Sequence, residues 1–221
     1  MLSKDAIVER MIQTGLLPVF RTTDVRHLFP ASKALYDAGI GCIEYTTTMP
    51  NCMQLIRDAA ATLPEDLYLG VGTVTDAATV DLAVDAGATF IASPSLCPDV
   101  VRACNRHGVV CVAGVMTPTE IMEAIHLGAD VIKVFPAGAV SPEFFSDVLG
   151  PFPGLHLMAA AKSAMQRLDE YIQAGVEIIT FLGNGLDAAA YASGDCAAIT
   201  RAARKWVEAV QTARQPSGIA G

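Results

Sequence analysis

The chain has 221 residues, 52% hydrophobic and 17% charged, with a formal net charge of −8. That supplies apolar material for a sizeable core, and it is too acidic a balance for nucleic acid or an anionic membrane as partner. No apolar run approaches the ~18 residues of a membrane span.

At the N-terminus, MLSKDAIVERMIQTG carries acids in an amphipathic pattern rather than a basic segment followed by an apolar block. It predicts a helix and no signal peptide. Beyond it one phrase recurs: a helical pattern, a small residue and a glycine, then four to six apolar residues. Its copies are DAGIGCIEYT, DAGATFIASP, RHGVVCVAGV, LGADVIKVFP and QAGVEIITFLG, with glycines at Gly39, Gly87, Gly108, Gly128 and Gly175. A glycine that closes a helix just before a buried strand suits a short helix-to-strand loop.

Strands are predicted near 16–21, 41–46, 68–73, 89–92, 109–113, 130–134, 155–159 and 177–182, with helices between them and a last helix around 195–213. The strands are near-continuous apolar runs, so both faces are covered, as in a parallel sheet wrapped by helices. Eight units predict an α/β fold, a single-domain (β/α)8 TIM barrel over 1–213 with an extra N-terminal helix; an open doubly wound sheet is the alternative. Residues 214–221 are expected to form a flexible tail.

The active site of such a barrel lies at the carboxyl ends of the strands. Arg21, Glu44, Thr73, Ser93, Lys133 and the Gly183-Asn184-Gly185 turn stand there. Lys133 sits within the apolar run DVIKVFPAG, where a buried ammonium is costly unless it is paired or neutral. Two readings stand on residues alone. One is a reactive amine that forms a Schiff base with a ketone, with Glu44 as general acid/base. The other is a structural Lys–Glu ion pair.

Six cysteines are scattered without C-x-x-C or a paired histidine spacing, so no zinc site is predicted. Cysteines inside apolar runs suit free thiols in a reducing cytoplasm. His107 is placed at a helix end, Asp130 at a strand start as a cap or bottom-face group, and Trp206 in core or subunit contact.

The pieces LLPVFR (16–21), IEYTTTMP (43–50), GVGTV (70–74), ASPSL (92–96), AGVMTPTE (113–120), IKVFPA (132–137) and GPFP (150–153) resemble one family in order and spacing. It is the class I pyruvate aldolases that cleave 2-keto-3-deoxy-6-phosphogluconate (KDPG) and 4-hydroxy-2-oxoglutarate. The similarity runs from about residue 5 to 210. It implies that Lys133 forms the Schiff base and that Glu44 is the general acid/base. It implies that Gly72 and Thr73 bind the pyruvyl carboxylate, and that Pro94 and Phe135 wall the pyruvate pocket. Some members place a carboxylate-binding arginine where Thr48 stands, others at the end of the first strand, where Arg21 stands.

The seventh strand departs from the family. A Pro-Thr-Gly-Gly segment there receives the distal hydroxyl and phosphate groups, whereas this chain reads 157-LMAAAKSAM-165. Alanine does not enter the positive-φ conformations open to glycine without strain. Lys162 has two readings, a point charge in place of amide donors or a solvated residue at a helix start. Gly183 and Asn184 match the family's glycine-rich turn on the eighth strand.

The resemblance implies a metal-independent lyase without a cofactor, a small-molecule 2-keto acid substrate, pyruvate as product, and a cytoplasmic homotrimer. Two alternatives are carried with it: a substrate lacking phosphate, and a non-catalytic barrel that binds an anion or serves in assembly.

Overall fold

The computed structural model describes residues 3–161 and 164–215. Lys162 and residues 216–221 of the expected tail lie outside the described residues. Eight strands, β1 Leu16–Phe20, β2 Cys42–Thr46, β3 Tyr68–Gly72, β4 Phe90–Ala92, β5 Val110–Val115, β6 Val131–Val134, β7 Leu157–Ala160 and β8 Ile178–Leu182, run in sequence order. They form a closed barrel. Every neighbouring pair is parallel, and β1 pairs with both β2 and β8.

An extra helix, α1 Lys4–Thr14, precedes the barrel. Outside it lie α2 Leu28–Tyr36, α3 Cys52–Thr62, α4 Ala77–Asp85, α5 Pro98–His107, α6 Pro118–Leu127, α7 Glu143–Leu149, α8 Leu168–Gln173, α9 Ala188–Ser193 and α10 Cys196–Ala213. The five glycines of the repeated phrase all have φ between 68° and 102°. That left-handed conformation lets a helix stop and the chain reverse into the next strand, and glycine adopts it without a Cβ penalty. The start of α6 is set by Thr117 and Glu120, which cap each other's backbone amides.

Alternate residues of each strand face the barrel axis. Leu17, Cys42, Phe90, Val110, Val112, Val131, Met158 and Ile178 pack there together with Ile7, Val8 and Met11 of α1. The N-terminal helix thus closes the bottom of the barrel. Gly70 gives Phe90 its place on the axis, because any side chain at Gly70 would occupy the Phe90 ring. Lys4 fastens α1 to the barrel floor through Asp130 at 2.8 Å, and Asp130 also accepts from the Cys111 amide at 2.7 Å.

The residues between these positions pack against the helices in the larger core. Arg214, expected in the tail, is instead tied down: its guanidinium donates to the carbonyls of Ile12, Gln13 and Glu177. A cation that satisfies three carbonyls at a chain reversal holds α10 against the barrel bottom.

Candidate active site

At the opposite end the inward positions change character. Gly72, Ala92, Gly114 and Ala160 are too small to fill the axis, and a cavity of about 250 Å³ opens above them. Its wall includes Arg21, Glu44, Thr73, Pro94, Lys133 and Phe135, six residues singled out from sequence. The chain after β4 passes over Gly114, where a Cβ would strike the Pro94 backbone, and this brings Pro94 to the wall.

Lys133 on β6 is 7% exposed and Glu44 on β2 is 3% exposed. Burial pushes the Lys133 amine below its ordinary value, opposed by the nearby Glu44 carboxylate and aided by Arg21. Burial pushes Glu44 above its ordinary value, opposed by Lys133 and Arg21. Both groups are drawn toward their neutral forms, which desolvation favours. Glu44 Oε2 is fully buried without a hydrogen-bond partner among the described residues. The ion pairs within 4.0 Å among the described residues do not include Lys133 with Glu44. An acid and an amine that share a cavity without closing on each other leave room for a reacting carbonyl between them.

Gly72 lies beneath Glu44, and a Cβ at Gly72 would occupy the position of Oε1. Its role in the structure is therefore to make room for the carboxyl group. The next residue, Thr73, has φ 63°, which is rare and costly for a β-branched side chain. Thr47 holds this turn: its amide donates to the Gly72 carbonyl at 2.9 Å and its hydroxyl to the Thr73 carbonyl at 3.0 Å. The turn presents the Thr73 hydroxyl to Arg21, whose Nη2 donates to it at 3.0 Å. Guanidinium and hydroxyl thereby form one polar corner on the β1–β3 side, suited to a carboxylate.

Three other sequence-predicted residues stand off the wall. Thr48 is exposed, and its hydroxyl meets that of Thr46 at 2.8 Å. Gly183 packs against the Phe20 ring. Asn184 turns its Oδ1 to the Arg21 amide at 3.4 Å, so it supports the β1 end rather than facing the cavity. The β7–β8 side of the wall consists of Ala160, Ala161, Thr180, Phe181 and Leu182. Sequence reasoning passes over Val19, Thr180, Phe181 and Leu182. The alternation Ile178, Thr180, Leu182 along one strand face is the signal that places Thr180 and Leu182 inward. Among the described residues no group of three or more His, Cys, Asp or Glu could hold a metal ion.

The family description "Aldolase: KDPG and KHG aldolase" matches residues 7–202. A 2-dehydro-3-deoxy-phosphogluconate aldolase of Treponema pallidum is 29% identical, over 92% of this chain and 97% of its own length. A probable 2-dehydro-3-deoxy-6-phosphogalactonate aldolase of Rhizobium meliloti is 31% identical, over 73% of this chain and 76% of its own. A solved structure described as native KDPGal superposes with a TM-score of 0.80 at 26% identity, covering 90% of this chain and 96% of that one. With the barrel, the cavity and these likenesses together, the chain belongs to the KDPG and KHG aldolase family.

Proposed function

We propose that this chain is a Schiff-base aldolase that reversibly cleaves a KDPG-like 2-keto-3-deoxy-6-phospho sugar acid, or 4-hydroxy-2-oxoglutarate, to pyruvate and an aldehyde. The observation that carries the reading is the buried Lys133 amine facing the same cavity as the buried Glu44 carboxyl, whose Oε2 has no partner among the described residues. Arg21 and Thr73 receive the substrate carboxylate, which places the adjacent C2 carbonyl at Lys133. The neutral amine adds to C2, and the carbinolamine hydroxyl leaves as water with a proton from Glu44.

The protonated imine then draws the C3–C4 bonding electrons onto its nitrogen. The C4 hydroxyl gives its proton to the Glu44 carboxylate, and the aldehyde departs. The remaining enamine is protonated at C3, and water hydrolyses the imine to pyruvate and free Lys133. Pro94 and Phe135 supply the apolar walls that keep the pyruvyl group dry.

The test is borohydride reduction in the presence of pyruvate, followed by intact mass and peptide mapping. A reduced pyruvyl adduct on Lys133, absent from Lys133→Ala together with cleavage activity, is expected. An unmodified Lys133 overturns the reading.

A second reading concerns the far end of the substrate. Ala160, Ala161 and Leu182 offer no charge to a phosphate, which favours an unphosphorylated 2-keto acid. Comparing kcat/KM for phosphorylated and unphosphorylated substrates, in the wild type and in Lys162→Ala, decides it; a large preference for phosphate counts against it.

A cytoplasmic homotrimer is the assembly we propose. Six free cysteines suit a reducing compartment, and the exposed Leu82 and Met122 give the outer helices apolar surface for a neighbour. Light scattering on the purified chain measures the state directly.

A further inference from the structure

The wall of the cavity holds one hydroxyl that the steps above leave unused. Thr180 is 7% exposed, faces the cavity from β8, and has no side-chain hydrogen bond among the described residues. Its neighbours on the same strand face are apolar, Ile178 below in the barrel core and Leu182 above at the mouth. In register across the sheet it stands beside Ala160 of β7 and Leu17 of β1. Thr180 is therefore the one side chain on the β7–β8 wall that can hydrogen-bond, among the described residues.

The cavity's polar groups divide by position. Arg21 and Thr73 are joined to each other on the β1–β3 side, Lys133 defines where C2 must lie, and Glu44 lies across from it on β2. Around the closed barrel β7 and β8 fill the arc between Lys133 on β6 and Arg21 at the end of β1. A substrate anchored by its carboxylate at the Arg21–Thr73 corner and by C2 at Lys133 therefore has that wall beside C3 and C4, with Glu44 facing it from β2. The C4 oxygen needs two things there. It needs a base for its proton in cleavage, and a donor for the negative charge that develops on it before the proton is transferred.

We propose that Thr180 supplies that donor: its hydroxyl binds the C4 oxygen of the aldol and thereby fixes which face of the aldehyde is attacked. This rests on the Schiff-base reading. In the synthetic direction the enamine C3 attacks the aldehyde carbon, and the carbonyl π electrons move onto the aldehyde oxygen. Thr180 donates to that oxygen, and Glu44 then delivers the proton that makes it the C4 hydroxyl. The imine is left for hydrolysis, so atoms and charge balance without any further reactant. With one fixed donor on one wall, only one orientation of the aldehyde oxygen is stabilised.

Thr180→Val removes the hydroxyl and keeps the β-branched shape; Thr180→Ser restores the hydroxyl. Three readouts separate the roles: borohydride trapping of pyruvate on Lys133, exchange of the pyruvate C3 protons in deuterium oxide, and the rate and C4 configuration of aldol addition. In Thr180→Val, trapping and exchange are expected at the wild-type level while kcat for addition falls roughly 10²- to 10³-fold. Both C4 epimers should then appear, and Thr180→Ser should recover most of the rate and the single epimer. Equal losses in exchange and in addition would overturn the assignment, as would an addition rate within about threefold of the wild type with one epimer retained. If the wild type itself gives no trapped adduct, the Schiff-base reading fails and this one with it, an outcome distinct from either loss.

Discussion

The two sides of the cavity are built on different principles. The ends of β1, β2, β3 and β6 carry Arg21, Glu44, Thr73 and Lys133, hold one of them at a strained φ, and leave a carboxyl oxygen buried without a partner among the described residues. Among the described residues, the wall formed by β7 and β8 is short side chains and hydrocarbon around a single hydroxyl. On the proposed reading, electrostatic cost is accepted where bonds to C2 would be made, and little is spent where the aldehyde would leave. The chemistry common to every substrate with a pyruvyl end would then sit among the costly groups, leaving the wall that would distinguish one aldehyde from another inexpensive to vary.

Glu44→Gln strikes the costly side hardest. It keeps the shape and removes the titrating proton, and cleavage should fall ~10²- to 10⁴-fold while the carboxylate corner still binds pyruvate. Stopped-flow cleavage alongside pyruvate titration would show whether the two separate.

The paired variant Lys133→Met/Glu44→Leu asks what those buried groups cost the fold. Both groups are shifted toward neutrality by burial, despite their mutual attraction. For Glu44 the raised value means its contribution is lost as pH rises above the ordinary 4.5. For Lys133 the lowered value means a penalty that fades as pH climbs toward the ordinary 10.5. The inactive variant should therefore be more stable than the wild type by about 1–4 kcal/mol, most clearly between those two limits. Urea melts at several pH values measure the difference, and a variant less stable at neutral pH would contradict it.

Arg21→Ala should raise KM for the 2-keto acid roughly 10- to 100-fold with a smaller change in kcat, as expected for a lost charge-assisted contact. Thr47→Val is the mildest change. It removes the hydroxyl that holds the Thr73 carbonyl, and KM should rise about fivefold, with Thr47→Ser close to wild type. If Thr47→Val matched Arg21→Ala, the corner would depend on its strained turn more than on the guanidinium.

The same contrast explains what can be read from the sequence. Charges on buried strands are conspicuous, so Lys133, Glu44 and Arg21 stand out from the amino-acid pattern alone. The repeated glycine phrase locates the strands because each glycine ends a helix at a positive φ that other residues avoid. Thr180 and Leu182 carry no such mark: a threonine and a leucine in a β-branched apolar run look like ordinary strand residues until the register shows which face they occupy. Gly183 and Asn184 draw notice for their glycine-rich setting, but the turn directs them to Phe20 and to the Arg21 amide. Gly72 reads as a carboxylate contact by resemblance; its proximity to Glu44 is a three-dimensional fact that no one-dimensional pattern carries.

The helix that closes the barrel floor has a kinetic consequence. Ile7, Val8 and Met11 cover a barrel axis already filled by Leu17, Phe90, Val112 and Met158, so every molecule enters and leaves by the mouth. On the proposed reading a pyruvyl group held on Lys133 occupies that cavity before the aldehyde arrives. The aldehyde must then depart first in cleavage and arrive second in synthesis, an order set by the covalent imine and played out through a single opening. An inert aldehyde mimic should then compete only with the aldehyde once the enamine has formed, while a pyruvate mimic should hold the empty cavity against both.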